Sequence, residues 1–278
     1  MVRHRSTSRS FSITARWLAG VGVAVVAVVV VVLVVLALQH ARGGDAADST
    51  PRPVPTFTDP TPAETPTPTP TTPPVPAPPG ADERFLAVGD GAMWRGTAGQ
   101  CDGPAPVIER STDDGETWED VTPTYRGITQ LLSLEPLAGD QAEIIARVGP
   151  SCEMQALRTF TYGQFWEPYP DVLAASTYID PTNPGSVIRP TGAVDAPCAS
   201  AWGLRSAGDT VGLICDGTAY QLVDGAWQAV GTDAVAIAIV DGEVVMVTSA
   251  EAQAPAATAA TPEGLLAWSG DTMTTLIR

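Results

Sequence analysis

The chain has 278 residues and a formal net charge of −16, with 31 acidic side chains against 15 basic ones. An acidic surface of this kind repels nucleic acid and anionic lipid headgroups, so neither is an expected partner. Every basic residue apart from the two histidines is an arginine. The absence of lysine, together with abundant Ala, Val, Gly and Pro, is typical of GC-rich coding sequences such as those of actinobacteria.

The N-terminal part of the chain predicts a membrane anchor. Residues 17–38 carry no charge and are mostly valine, and a helix of that length spans roughly 30 Å, the thickness of a hydrocarbon core. The only charged side chains before this segment are arginines. That charge favours a cytoplasmic segment at 1–16 and an extracytoplasmic C-terminal part. The alternative is a cleaved signal peptide, whose apolar region is normally shorter, about 7–15 residues.

A linker is predicted at 39–80. Residues 51–79 hold 13 of the 26 prolines, and such a stretch favours extended polyproline II and buries little apolar surface. The linker is therefore expected to be a disordered spacer that lifts a domain off the membrane. O-linked glycosylation of its threonines is a further possibility.

The part of the chain from 81 to 278 is predicted to be all-β. Short runs rich in Val, Ile, Leu, Tyr and Trp alternate with Gly, Asp and Pro, as in "DTVGLICDG" and "AVAIAIVDG". No helical period of any length is evident. This pattern indicates short strands joined by tight turns.

The strands repeat at a coarse period that is marked by glycines and tryptophans. Gly115, Gly163, Gly225 and Gly270 are 48, 62 and 45 residues apart. Units of about 40–50 residues with four short strands are typical of propeller blades. The spacing predicts a small β-propeller of about four blades, with a β-sandwich as the alternative.

One of these turns resembles a known motif at every defined position. The stretch "STDDGETW", at 111–118, is similar to the Asp-box or BNR repeat, Ser-x-Asp-x-Gly-x-Thr-Trp. The resemblance to sialidase-like and photosystem-assembly-factor propellers implies that this turn joins the third and fourth strands of a blade on the outer rim. The residues that carry the full motif are Ser111, Asp113, Gly115, Thr117 and Trp118. Degenerate copies extend the resemblance to Thr159, Gly163, Trp166, Gly225, Trp227 and Gly270.

Local chemistry favours a structural role for the turn. Ser and Asp side chains accept hydrogen bonds from backbone N–H groups a few residues on, and Gly115 supplies a positive φ. Thr117 and Trp118 suit the start of a strand. The spacing and terminal glutamate of an EF-hand loop are absent, so no metal is expected here.

Four cysteines, all in the outer part, predict two disulfides in an oxidising compartment. The sequence has no C-x-x-C spacing, so a zinc site is not expected. "CASAWGLRSAGDTVGLIC" predicts a hairpin that pairs Cys198 with Cys215. On the blade alignment above, Cys101 and Cys152 occupy equivalent positions in adjacent blades and are expected to pair.

Catalytic signals are weak. The only histidines are His4 and His40, which removes Ser-His-Asp and Cys-His catalysis from the outer domain. "VIRPTG", at 187–192, has the wrong order and place for the Arg-Ile-Pro motif of sialidases. We therefore expect a non-catalytic recognition or scaffold module without a cofactor, whose partner is a protein or a cell-envelope glycan. A sialidase-like exo-glycosidase and an assembly factor for a membrane complex are the alternatives.

Overall fold

The computed structural model describes residue 33 and residues 75–276. The chain divides into two units, Met1–Thr69 and Pro70–Arg278, and the strands below all belong to the second. Apart from residue 33, the predicted transmembrane segment 17–38 lies outside the described residues. Within the described residues, no helix combines the length and the apolar character that a membrane span requires.

The described residues contain six antiparallel sheets that follow one another along the chain. Blade 1 comprises β1 (Arg84–Val88), β2 (Met93–Thr97), β3 (Val107–Ser111) and β4 (Glu119–Asp120). Blade 2 comprises β5 (Ile128–Pro136), β6 (Ala142–Val148), β7 (Glu153–Thr159) and β8 (Trp166–Pro168). A short helix, α1 (Pro170–Ala175), leads to a linking sheet of β9 (Tyr178–Ile179), β10 (Ser186–Ile188) and β11 (Val194–Asp195).

The second half of the domain continues in the same manner. Blade 3 comprises β12 (Trp202–Ala207), β13 (Thr210–Cys215), β14 (Thr218–Val223) and β15 (Ala226–Gly231). Blade 4 is the hairpin of β16 (Ala234–Val240) and β17 (Glu243–Thr248). Blade 5 comprises β18 (Ala256–Thr261), β19 (Gly264–Ser269) and β20 (Thr272–Leu276). Two 3₁₀ turns, at Gly80–Asp82 and Thr124–Arg126, precede blades 1 and 2.

The first strand of each sheet lines the axis of a closed ring. Strand β1 packs against β5, β5 against β9, β9 against β12, β12 against β16, β16 against β18, and β18 against β1. These inner strands are flanked by neighbours on both sides, which explains runs such as Ala234–Val240, in which the first five residues are all buried. A ring of radial antiparallel sheets is a β-propeller, as predicted.

The prediction of about four blades is wrong, because the ring contains five. Five sheets have an inner strand of five to nine residues, whereas the linking sheet has strands of two or three. Blade 4 is a hairpin of two strands, so it lacks the turn between third and fourth strands whose glycine marks blades 1, 2 and 3. Gly270 lies in a different turn, between the second and third strands of blade 5. The linking sheet accounts for the long interval between Gly163 and Gly225.

The largest core cluster joins blades 1 and 2. It contains fully buried Trp94 and Ile108 from blade 1 together with Leu131, Leu157 and Trp166 from blade 2. Burial of these apolar side chains therefore stabilises the contact between blades 1 and 2.

The ring closes between blades 1 and 5 through stacked cations and indoles. The guanidinium of Arg84 lies 4.3 Å from the centroid of the Trp268 ring. That of Arg95 lies 4.2 Å from the ring of Trp118 and 5.1 Å from that of Trp268. Planar guanidinium groups stack well on aromatic faces, so Arg95 bridges the first and last blades.

Candidate functional site

The turn at 111–118 is closed by its own side chains. The hydroxyl of Ser111 accepts a hydrogen bond from the backbone N–H of Gly115 at 2.8 Å and donates to Oδ1 of Asp113 at 2.7 Å. The same carboxylate accepts from the backbone N–H of Thr117 at 2.9 Å and also from the Thr117 hydroxyl. Gly115 has φ of 88°, and its carbonyl accepts from the Trp118 indole at 3.0 Å.

These bonds stabilise the charged form of Asp113. The hydrogen bonds from the Thr117 hydroxyl and backbone, with that from Ser111, lower the pKa of Asp113 to about 2. All the partners lie within four residues of Asp113, in the turn between β3 and β4 of blade 1. In this arrangement Asp113 acts as a turn staple.

The second turn, between β7 and β8, repeats this geometry with different side chains. The hydroxyl of Thr159 accepts from the backbone N–H of Gly163 at 2.9 Å, as Ser111 does in the first turn. The hydroxyl of Thr161 stands in for the carboxylate and accepts from the backbone N–H of Phe165 at 2.9 Å. The indole of Trp166 turns inward and donates to the carbonyl of Val121 at 3.2 Å.

Of the two remaining glycines, only Gly225 lies between the third and fourth strands of its sheet, because Gly270 lies between the second and third strands of blade 5. Gly225, with φ of 80°, follows Asp224 in the two-residue loop between β14 and β15. The indole of Trp227 donates to the carbonyl of Asp195 in the linking sheet at 2.8 Å. Gly270, with φ of 57°, lies between β19 and β20, and its carbonyl accepts from Arg84 at 2.6 Å.

The four cysteines form two disulfides, which confirms that prediction. Cys198 is joined to Cys215 with a Cα separation of 5.6 Å, and Cys101 to Cys152 with one of 6.1 Å. The first bond ties the segment before blade 3 to the end of β13. The second ties the loop after β2 to the turn between β6 and β7, and so joins blades 1 and 2.

Three cavities are lined in part by the inner strands β5 and β12. The first, of about 380 Å³, lies at the N-terminal ends of the inner strands beside Pro78, Glu83 and Trp202; we call it the proximal cavity. The second, of about 60 Å³, lies midway beside Phe85 and Arg205. The third, of about 530 Å³, lies at the opposite ends of β5 and β12; we call it the distal cavity.

Charged side chains packed along the axis separate the two larger cavities. Arg205 donates to the carbonyls of Leu204 and Arg84 at 2.8 and 3.3 Å, and its guanidinium lies 5.4 Å from the Phe85 ring centroid. Burial raises the pKa of Glu83, although the charge of Arg205 and a hydrogen bond from Gly203 oppose the change. The centre of the ring is therefore filled.

A row of charged residues on blade 2 forms one wall of the distal cavity. Glu135 on β5, Glu143 on β6 and Arg158 on β7 are consecutive cross-strand partners, so their side chains share one face. Nε of Arg158 donates to Glu143 at 3.0 Å. Burial, followed by the adjacent charge of Glu143, raises the pKa of Glu135. Arg158 pairs with Glu143, whereas the charge of Arg205 acts on Glu135 and opposes the rise of its pKa.

The other walls come from the linking sheet and blade 3. Arg189 follows β10 directly, and Ser206 lies near the end of β12. Sequence reasoning noticed Arg189 only as part of "VIRPTG" and did not select Glu135 or Ser206. Glu135 had a weak signal, as an acid within an otherwise apolar strand, but nothing in the sequence connects these three positions.

The fold defines this protein as a β-propeller with a filled axis and a polar cavity at one end. No family model and no curated protein matches the chain. Among solved structures it is similar to YCF48 bound to D1 peptide, with 15% identity and a TM-score of 0.35 over 68% of this chain and 64% of that one. It is also similar to YCF48 from Cyanidioschyzon merolae, with 15% identity and a TM-score of 0.25 over 73% and 59%. The chain thus spans less than two thirds of either neighbour, and its assignment as a propeller rests on its own ring of sheets.

Proposed function

We propose that the chain is a membrane-anchored, extracytoplasmic recognition or scaffold module built on an Asp-box type propeller. The observation that carries this proposal is the filled axis. Because Arg205 and Phe85 occupy the centre of the ring, ligands meet a broad cavity on either face rather than a deep substrate tunnel. Such a face suits binding of an exposed group on a larger partner, either a protein or a cell-envelope glycan.

The contrast between the turn at 111–118 and the distal cavity supports this proposal. The turn at 111–118 uses its polar groups internally. The distal cavity, in contrast, includes side chains such as Thr191 and Ser206 that make no hydrogen bond within the described residues. Recognition is therefore assigned to the distal cavity and stability to the turn. Service as an assembly factor for a membrane complex is a narrower form of the same role.

Site-specific photo-crosslinking in intact cells tests the proposal. A photoreactive residue at exposed Thr191, beside the distal cavity, is expected to give a discrete adduct with an envelope component. The matched control is the same residue at exposed Gln228, on the outer strand of blade 3, which should give none. Equal labelling from both positions would contradict recognition at the distal cavity. Hydrolysis of a fluorogenic sialoside by the purified chain, lost in Glu135→Gln, would replace recognition with glycosidase activity.

A further inference from the structure

The end of the predicted linker crosses the proximal end of the ring. We call residues 75–80 the strap; they are the part of the segment 39–80 that the structure describes. The first two residues of the strap, Val75 and Pro76, lie against Gly217 in the turn between β13 and β14. A Cβ atom on Gly217 would be 2.9 Å from Cγ1 of Val75 and 2.9 Å from Cδ of Pro76. The strap therefore packs on blade 3 at a position that has no room for a larger residue.

The other end of the strap is fixed to blade 1. The carbonyl of Ala81, the next residue, accepts a hydrogen bond from the backbone N–H of Gly99, which follows β2, at 2.9 Å. Between these two ends, Pro78 and Gly80 line the proximal cavity together with Trp202 of β12. Blades 1 and 3 are not neighbours in the ring, so the strap runs across the cavity rather than along one blade.

Within residues 75–276, no backbone hydrogen bond holds residues 75–78 of the strap in place. Val75, Ala77 and Pro78 each precede a proline, which favours an extended backbone, and proline itself has no N–H to donate. Segments that lack backbone hydrogen bonds open at a low cost in free energy. The ring, in contrast, is closed by the packing of β18 on β1, so the strap can leave while the ring stays closed.

The composition of the strap defines the class of ligand that suits this cavity. Residues 70–80 contain six prolines and no charged side chain, so the net charge of −16 does not repel them. Proline-rich segments in the polyproline II conformation dock on sites that include aromatic side chains, and they lose little conformational entropy on binding. Trp202 lines the proximal cavity, which therefore suits an extended, uncharged proline-rich segment.

We propose that the proximal cavity is a binding site for an extended proline-rich segment, which the strap occupies reversibly as an autoinhibitory contact. While the strap is bound, the cavity is closed to any other segment of this kind. When the strap leaves, Gly217 and the lining of the cavity are free to take a replacement. The site lies at the opposite end of the ring from the distal cavity, so this inference goes beyond the recognition proposed there.

Binding of a peptide in trans tests the proposal. The probe is a fluorescently labelled peptide of residues 70–80, added to the full chain in detergent and followed by fluorescence anisotropy. Because a tethered strap has an effective concentration on the order of 1 mM, the peptide is kept at or below about 0.1 mM and should bind the wild type weakly. The double variant Val75→Ser with Pro76→Ser loses both side-chain contacts to Gly217. It should bind the peptide at least tenfold more tightly than the wild type does.

Substitutions at glycine then identify the site. Added to the double variant, Gly217→Ala places a Cβ atom where Val75 and Pro76 of the peptide would lie, and it should lower peptide affinity at least tenfold. Gly139→Ala is the matched control, because both glycines have φ of 70° and nothing lies within 4 Å of a Cβ atom at position 139. Peptide affinity should be unchanged by that control. A peptide that carries serine in place of Val75 and Pro76 should bind at least tenfold more weakly.

Three results would overturn the proposal: no binding to any folded variant, equal binding to the wild type and the double variant, or equal affinity with Gly217→Ala and Gly139→Ala. If the double variant shows no cooperative thermal unfolding, Pro76→Ser alone takes its place with the same expectations. The photo-adduct from position 191 should be unchanged in the strap variant. Failure of this inference would therefore leave recognition at the distal cavity intact.

Discussion

The indole rings of Trp94 and Trp166 meet edge to face across the boundary between blades 1 and 2, with centroids 6.1 Å apart and ring planes at 76°. Both side chains are fully buried. Aromatic pairs in this geometry contribute about 0.5–1.5 kcal/mol beyond their hydrophobic area. The second turn therefore extends the core of the preceding blade in addition to closing its own hairpin.

Gly163, the glycine of that turn, provides a sharp test of this packing. A Cβ atom at this position would lie 2.7 Å from Cβ of Val121 and 3.2 Å from the Trp94 ring. Gly163→Ala should therefore combine a backbone penalty with a steric clash and cost several kcal/mol. Gly225→Ala is the matched control, because its φ of 80° is similar and nothing lies within 4 Å. Thermal denaturation should show a clearly larger loss at Gly163, and equal losses would show that packing there is unimportant.

Asp113 predicts a specific dependence of stability on pH. Hydrogen bonds from Thr117 and Ser111 lower its pKa in the folded state to about 2, below the ordinary value near 3.9. At pH values between these two the unfolded chain binds more protons, so stability from this group is complete above about pH 4 and is lost toward pH 2.

The neutral variant Asp113→Asn should be less stable than the wild type at pH 6, and the difference should shrink as the pH falls through this window. The control is Asp114→Asn, because within the described part of the chain the side chain of Asp114 makes no hydrogen bond and asparagine tolerates its φ of 57°. Urea denaturation at several pH values measures both variants. A difference for Asp113→Asn that does not change with pH would exclude the carboxylate as its source.

The two disulfides should stabilise the domain unequally. Their sequence separations are 17 for Cys198–Cys215 and 51 for Cys101–Cys152, and the loop-entropy argument gives about 3 and about 4 kcal/mol respectively. Replacing each pair by serine and measuring urea denaturation tests the order. Non-reducing peptide mapping verifies the pairing, and a Cys152–Cys198 link would contradict both the pairing and the blade alignment.

The predicted anchor is testable in cells. If residues 17–38 span the membrane with the N-terminus inside, protease added to intact spheroplasts should release a fragment that begins in or after the proline-rich segment. Solubilising the membrane first should make the N-terminal arginines accessible as well. Recovery of a soluble mature protein that begins near Gly43 would instead show that a signal peptide had been removed.

Several features of the ring follow from short stretches of sequence. The turn at 111–118 is closed by hydrogen bonds between residues at most four positions apart. Its hydrogen bonds could therefore be predicted from a short stretch of sequence. The hairpin that joins Cys198 to Cys215 is equally local. The alignment of Gly115 with Gly163 was enough to suggest adjacent blades, and hence the Cys101–Cys152 bond between them.

The number of blades and the distal cavity are decided by tertiary structure. Blade 4 has no outer turn and the linking sheet has only short strands, so neither carries a repeating signal. Glu135, Arg189 and Ser206 lie far apart in sequence and meet because their sheets are neighbours around a closed ring. Sequence alone determined the all-β class, the turn chemistry and the Cys198–Cys215 pair from local spacing, and the Cys101–Cys152 pair from the repeat. Closure of the ring determined which side chains line the distal cavity, because it brings together residues that no strand register connects.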